Sequence, residues 1–586
     1  MPLRLTVYHG RTLSTLIDRS GGLRFKSCTS RHLGATFQTT ETHPKKYKTI
    51  DDLSGPSLAT TVYWLFVKGY SVKSHAMQIE HKNIYGPVWR SRFGPFDVVN
   101  VASADLIAQV IRQEGRYPIR TELPHWKEYR DMRGQAYGLH VDEGPEWYRM
   151  RRALNPKLLK LPEVSRYAPV IHQVVGDLLQ RIEKLRLRSG DHATVSDLAS
   201  ELYKFGFEGI SSILFETRLG CLQDEIPEDT LKFIAAVGDM LTLSEIVLFL
   251  PLWTRKVLPF WKRFVQAWDD LVGVAQRLID RKVAEIDVQM QAGKPVEGMY
   301  LTHLLSSDKL SLREVYISIT ELLLGGVDTT SNTLSWTLYH LARDPASQDR
   351  LYQDVTSVCP GRQQPSSEDL TRMPYLKAVF KETLRMYPVV PGNGRLTLEN
   401  EVVVDNYLFP KKTQFHLCHY AVSHSESEFP DPECFRPERW LREEVEAYQH
   451  HPYSFIPFGV GVRACVGKRV AELEMHSALS RLMQHYEVQP VDGAPTIEPK
   501  TRTLLIPSKP INLRFIPRAS GGREGTVEVT APEGLRPQKA YGPRRPTAPE
   551  GLRPQKAYGP RRPTAPEGLR PQKAYGPRRP NHFNRQ

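Results

Sequence analysis

Residues 455–470 read FIPFGVGVRACVGKRV. One cysteine, Cys465, stands in a frame of glycines with Arg463 two residues ahead of it. "RVAELEMHSALSRLMQHY" follows, with apolar residues at the three-and-four spacing of a helix. Cys465 is therefore expected at a helix start, where the positive end of the macrodipole and free backbone N–H groups stabilise a thiolate and lower its pKa. Gly461 and Gly467 would let the backbone approach a flat group that no side chain could share, and Phe458 would pack beside the sulfur. Arg463 is placed to pair with a carboxylate of such a group. A thiolate with no neighbouring Cys or His as co-ligand suits haem iron better than zinc, which takes three or four protein ligands.

Outward from this loop, residues 165–345 read as helix after helix, for example "VIHQVVGDLLQRIEKL" and "FVQAWDDLVGVAQRLIDRKVAEI". "GPVWRSRFGPFDVVNVAS" and "EVVVDNYLFPKKTQFHLCHYAV" alternate apolar and polar residues around turn signals, which predicts hairpins. The fold class is mainly α with small β-sheets. His416 and His419, in "HLCH", fall within the alternating strand text and are read as structural. Six cysteines lie far apart, without the close spacing of zinc motifs or of a small disulfide framework.

The net charge of +14 invites a nucleic-acid reading, but its distribution argues against one. Residues 1–40 carry Arg4, Arg11, Arg19, Arg24, Lys26 and Arg31 against the single acid Asp18, the composition of a mitochondrial presequence. Near the other end "TAPEGLRPQKAYGPRRP" occurs three times with a period of 17 residues, each copy carrying four basic residues and one Glu. Together the two ends account for the whole excess, so the chain between them is balanced and no nucleic-acid partner is expected. The boundaries follow: a presequence at 1–40, one large haem-binding domain at 41–518, and a disordered Pro/Arg-rich tail at 519–586. No apolar run reaches the roughly 20 residues of a membrane-spanning helix, since "LATTVYWLFVKGY" is interrupted by Lys68.

The cysteine loop resembles the FxxGxRxCxG signature of the cytochrome P-450 superfamily at every defining position, which implies that fold, a haem b cofactor and Cys465 as its axial thiolate. Other features of the family appear upstream in order. "KETLR" sets Glu382 and Arg385 three apart on one helical face, and Arg439 in "FRPERW" supplies the third member of the family's structural network. "LLLGGVDTTSNT" interrupts a helical run with Gly325 and Gly326, each costing about 1 kcal/mol relative to alanine. It resembles the family's oxygen-binding segment, where the helix opens a groove. The resemblance gives Thr329 a hydrogen bond to dioxygen or its ordered water and gives Asp328 support of proton delivery from solvent. Trp147 and Arg151 match the family's WxxxR, and Arg395 follows the ExxR helix; all three are assigned to the haem propionates.

Electron supply separates the branches of this family. Lys377 and Lys381 lie four apart on one helix face, and Lys468 and Arg469 follow the cysteine. With a presequence and no membrane anchor, this pattern is similar to mitochondrial members, whose basic patch docks an acidic [2Fe-2S] ferredoxin served by an NADPH-dependent reductase. The wording of residues 55–515 resembles the sterol 27-hydroxylase group ("RYPIR", "PLWTRKVLPFWKRF", "MYPVVPGNGR"), and related vitamin D hydroxylases share parts of it. The resemblance implies hydroxylation of a terminal methyl of a sterol side chain, on the matrix side of the inner membrane. Residues 246–264, with Trp253 and Trp261 among Lys and Arg, are expected to dip into a bilayer without spanning it. The reading from a different class is a haem sensor or scaffold with a basic interaction tail.

Overall fold

The computed structural model describes residues 47–519 except 94–95, 294–297, 308, 398, 443–444 and 446–449. The presequence reading and the repeat tail lie outside these residues.

Several helices position the cysteine loop or pack near it. Seven helices are labelled in chain order: α1 (Gly144–Leu159), α2 (Leu198–Leu214), α3 (Glu228–Phe249), α4 (Phe260–Gln291), α5 (Leu312–Arg343), α6 (Pro374–Met386) and α7 (Lys468–His485). α5 starts at a capping box: Glu314 Oε2 accepts from the Ser311 N–H at 2.8 Å, and the Ser311 hydroxyl accepts from the Glu314 N–H. Its residues are buried nearly all the way round, which marks it as the central helix rather than a surface one.

Its two glycines do different work. A Cβ on Gly326 would lie 2.7 Å from Ile210 of α2, so glycine is what lets α2 and α5 cross closely. Gly325 faces open space, with nothing within 4 Å of a built Cβ. The expected interruption is absent: α5 runs unbroken through both, because tertiary packing on every side outweighs about 2 kcal/mol of lost propensity.

The hairpins form as the alternation predicts. β1 (Val88–Phe93) pairs antiparallel with β2 (Phe96–Val101); β3 (Asn393–Leu396) and β4 (Gln414–Leu417) complete a sheet of order β1-β2-β4-β3. The register sets Arg395 opposite Phe415, and both are buried. Asp405 and Asn406, at φ 49° and 62°, make the two-residue turn between strands 402–404 and 407–409. A last hairpin, β5 (Pro499–Arg502) and β6 (Leu504–Pro507), turns at Thr503.

Two buried carboxyl groups fix the helices that carry the loop. Glu382 on α6 accepts two bonds from Arg385 at 2.9 Å, and further bonds of 2.9 Å from Arg439 Nε and Trp440 Nε1. The three charged residues are essentially inaccessible to solvent, and their pairing offsets a desolvation cost of several kcal/mol per ion. Glu474 on α7 has no such partner. It lies against Gly209 of α2 and Thr330 of α5, whose hydroxyl is 3.4 Å away, and its Oε1 has no hydrogen-bond partner. Burial pushes its pKa up to about 8, so the group is a neutral acid at pH 7.

The folded chain therefore keeps a proton that the unfolded chain gives up above about pH 4.5, and stability falls as pH rises from there towards pH 8. Glu474→Gln removes this dependence. Urea unfolding of the two proteins between roughly pH 5 and 8 should show the variant's advantage growing by on the order of 1 kcal/mol per pH unit. Parallel curves would show that Glu474 is charged in the fold.

Candidate cofactor site

Cys465 is held by its own loop. Its N–H donates to the Phe458 carbonyl at 2.8 Å, and the Ala464 N–H donates to the Gly461 carbonyl at 3.1 Å. Gly459 and Gly461 adopt φ of 67° and 69°, which L side chains rarely take up. The cysteine stands three residues before α7, whose N-cap is Gly467, rather than at the helix start itself. A Cβ on Gly467 would sit 3.9 Å from the sulfur, an ordinary contact. At Gly461 a Cβ would lie 2.6 Å from Glu114 Oε1, so a side chain there collides as well as straining the backbone.

Three arginines from distant parts of the chain converge on this loop, which carries a fourth, Arg463. Arg120 donates to the Arg463 carbonyl, Arg151 to the Ala464 carbonyl at 2.7 Å, and Arg395 to the Val460 carbonyl at 3.1 Å. Arg463 turns inward. It donates to the carbonyls of Pro118, Leu139 and Asp142, and its guanidinium lies 3.5 Å from the Trp147 ring centroid. Trp147 is thus a platform for Arg463, a cation–π contact in a desolvated place.

Burial, then the neighbouring guanidiniums, holds Arg463 down to about 9, and burial followed by Arg120 holds Arg151 down to about 10. Burial also lowers Arg120, which the Cys465 sulfur partly opposes. Arg463 and Arg151 remain cations at neutral pH. Among the described residues one carboxylate forms an ion pair with any of the four: Glu114, 2.8 Å from Arg395 Nε. Buried cations without counter-charges are costly, so the site is built for a dianionic ligand beside a thiolate. The two carboxylates of haem and the Cys465 sulfur match that donor set.

On α5, Glu321, Gly325 and Thr329 recur every four residues and so share one face. Thr329 is half-buried, with its hydroxyl donating to the Gly325 carbonyl at 2.7 Å. Asp328 points elsewhere. It is buried, receives Arg502 Nη2 from the β5–β6 hairpin at 3.2 Å, and has its pKa raised by burial, against the opposing pull of Arg502. Asp328, given a part in proton delivery by the resemblance, is thus not itself at the surface, and its partner Arg502 has a side chain that is 23% exposed. Glu321 accepts from the His140 N–H at 3.0 Å and lies 3.1 Å from its ring, tying the loop ahead of α1 down onto α5.

Lys377, Lys381 and Lys468 act on one another: burial lowers the pKa of Lys381, and the charges of Lys468 and then Lys377 lower it further. Lys468 also lies 5.4 Å from the Phe458 ring centroid, and Lys381 5.5 Å from that of Trp440. Glu472 pairs closely with Arg469 at 2.9 Å and more loosely with Lys468 at 4.0 Å.

Arg120, Glu114, Glu474 and Arg502 carry weight that the sequence reading did not assign. Arg120 closes the quoted "RYPIR" and was legible by its position in that motif; the others have no local signal, since their partners are more than a hundred residues away.

Comparison with known proteins agrees with the geometry. A family model described as Cytochrome P450 matches residues 54–515. Sterol 26-hydroxylase, mitochondrial, from Rattus norvegicus is 46% identical over 479 residues, 81% of this chain and 90% of the relative. The Homo sapiens protein of that name is 47% identical over 462 residues, 78% of this chain and 87% of its own length. 25-hydroxyvitamin D-1 alpha hydroxylase, mitochondrial, from Homo sapiens is 42% identical over 494 residues, 83% and 96% of the two chains. The resemblance read from the cysteine loop and the mainly helical fold class are both borne out. The chain belongs to the cytochrome P450 family, which uses haem held by a cysteine thiolate.

Proposed function

We propose that this chain is a mitochondrial monooxygenase that hydroxylates the side chain of a sterol, with Cys465 as the axial ligand of haem b. The observation that carries this reading is the convergence of Arg120, Arg151 and Arg395 on the loop of a single cysteine that carries the buried Arg463. When bound, the haem supplies the activation of dioxygen, with two electrons and two protons consumed, one oxygen atom entering a C–H bond and the other leaving as water.

The chain's own residues do the rest. Arg120, Arg151 and Arg395 neutralise the cofactor's carboxylates, while Arg463 holds the loop against Trp147. Gly325 keeps the face beside Thr329 clear, and Thr329 exchanges its bond to the Gly325 carbonyl for one to a ligand in that space. Asp328 passes protons inward, while the Arg502 guanidinium keeps its own proton and orients that carboxyl group at 3.2 Å. Glu382, Arg385 and Arg439 keep the loop's support rigid.

An acidic [2Fe-2S] ferredoxin, reduced by its NADPH-dependent reductase, docks on Lys377, Lys381 and Lys468, with Arg469 at the margin because Glu472 shares its charge. Sterols dissolve in lipid, and an apolar surface suits peripheral binding to the inner membrane from the matrix side. Leu252, Trp253 and Val257 are 68–72% exposed, while Trp261 is instead covered by Arg255 at 4.1 Å. Phe66 and Val67 are exposed to a similar degree, and Phe249 meets Phe96 at the β1–β2 hairpin 5.3 Å away. Among the described residues no helix is long and apolar enough to cross a membrane. The sterol assignment is supported by the relatives named sterol 26-hydroxylase. Vitamin D hydroxylation is the second reading, favoured by the 42% identical relative.

A ferredoxin-driven assay on lipid vesicles offering cholesterol, a bile-acid alcohol and vitamin D together tests these assignments. Terminal-methyl alcohols of the sterols should dominate, and preferential conversion of vitamin D would replace the first reading by the second. In the same assay Lys377→Gln with Lys381→Gln should lower turnover several-fold at low salt, and Trp253→Asp should reduce co-sedimentation with the vesicles. Unchanged values would remove docking from that patch and membrane contact from that segment.

A further inference from the structure

The charges around the cysteine loop balance only when one more residue is counted. Arg120, Arg151, Arg395 and Arg463 bring four positive charges; two cofactor carboxylates and one thiolate bring three negative ones. Glu114 makes the fourth. Its Oε2 accepts from Arg395 Nε at 2.8 Å, and its Oε1 reaches over Gly461, where a Cβ would come within 2.6 Å. The side chain is 13% exposed and stands between the cysteine loop and a cleft of about 480 Å³ lined by Gly115, Pro118, Arg395 and Glu399.

Among the described residues, other acids nearby form no ion pair with these arginines, although the charge of Glu143 is felt at Arg463. Glu143 pairs with Lys127 at 2.7 Å, Asp142 accepts the Glu143 N–H at 2.9 Å, and Glu399 is exposed on the outer side of the cleft. Nor is Glu114 needed merely to hold Arg395, whose remaining donors grip the carbonyls of Gly394 at 2.9 Å and Val460 at 3.1 Å.

We propose that Glu114 sets the charge of the haem site, and that its carboxylate holds the reduction potential of the bound haem down. The proposal rests on the haem-thiolate reading above. Reduction adds a negative charge at the metal, and a carboxylate in a poorly hydrated place opposes that addition more strongly than water-screened groups do. Net charge, burial and hydrogen bonding are the levers by which a protein tunes such a potential. Glu114 acts through charge at a distance and is a positioning and tuning residue, not a catalytic one.

The test is a spectroelectrochemical titration of the full-length holoprotein, with haem per chain measured for each variant. Glu114→Gln keeps an acceptor for Arg395 Nε but removes the charge, so its potential should move in the positive direction. Glu114→Asp keeps the charge and should stay near the wild type. Haem retained by the Asp variant at an unchanged potential, but lost from the Gln variant, also supports a role for charge. A wild-type potential in haem-replete Glu114→Gln, or equal shifts or equal haem loss in both variants, would overturn the proposal and leave Glu114 as a strut. A wild-type chain that binds no haem at all would overturn the reading beneath it.

Discussion

Four guanidinium groups gathered at the cysteine loop, three of them buried and Arg120 partly so, are the constraint on which the rest of this structure depends. Each would cost several kcal/mol to keep from water without a counter-charge. The fold accepts that cost in four separate elements: the segment ahead of residue 124, helix α1, strand β3 and the cysteine loop. Arg120, Arg151 and Arg395 clasp loop carbonyls while Arg463 ties the loop to its surroundings, which fixes Cys465, and their charge suits an anionic ligand such as the haem carboxylates. The loop is thus rigid for the same reason that it is selective.

The remaining architecture serves this arrangement. Glu382 binds two arginines and a tryptophan so that α6 and the segment around Arg439 form a fixed bed. α5 crosses above as an unbroken rod, and α2 comes close because Gly326 leaves room for Ile210. The same helix presents Gly325 and Thr329 on a clear face and turns Asp328 aside from Thr329, where Arg502 receives it. In the proposed mechanism the residues for oxygen handling and proton supply are thus set apart by the rotation of one helix, about 100° per residue.

Much of this was legible in the sequence where the chemistry is contiguous or one helical turn apart. The cysteine loop, the Glu382–Arg385 pair and the Asp405–Asn406 turn all belong to that class. What was not legible depends on long-range approach. Arg120 and Arg395 are separated by more than 270 residues, and nothing near Glu114 signals that a glycine in the cysteine loop will make space for it. Glu474 sits in an ordinary-looking helix, and three-helix packing alone strips it of water. The two glycines of α5 look equivalent as text and differ because one meets Ile210 and the other meets nothing. Trp253 and Trp261 likewise read alike, until Arg255 covers one and leaves the other exposed.

The central claim is a bond from the Cys465 sulfur to haem iron, and the most direct measurement is the absorption spectrum of the reduced holoprotein under carbon monoxide. A thiolate ligand predicts a Soret band shifted strongly to the red, abolished by Cys465→Ser in protein that still folds and binds haem. An unshifted band in the wild type, or a shifted band that survives the serine substitution, would contradict the account.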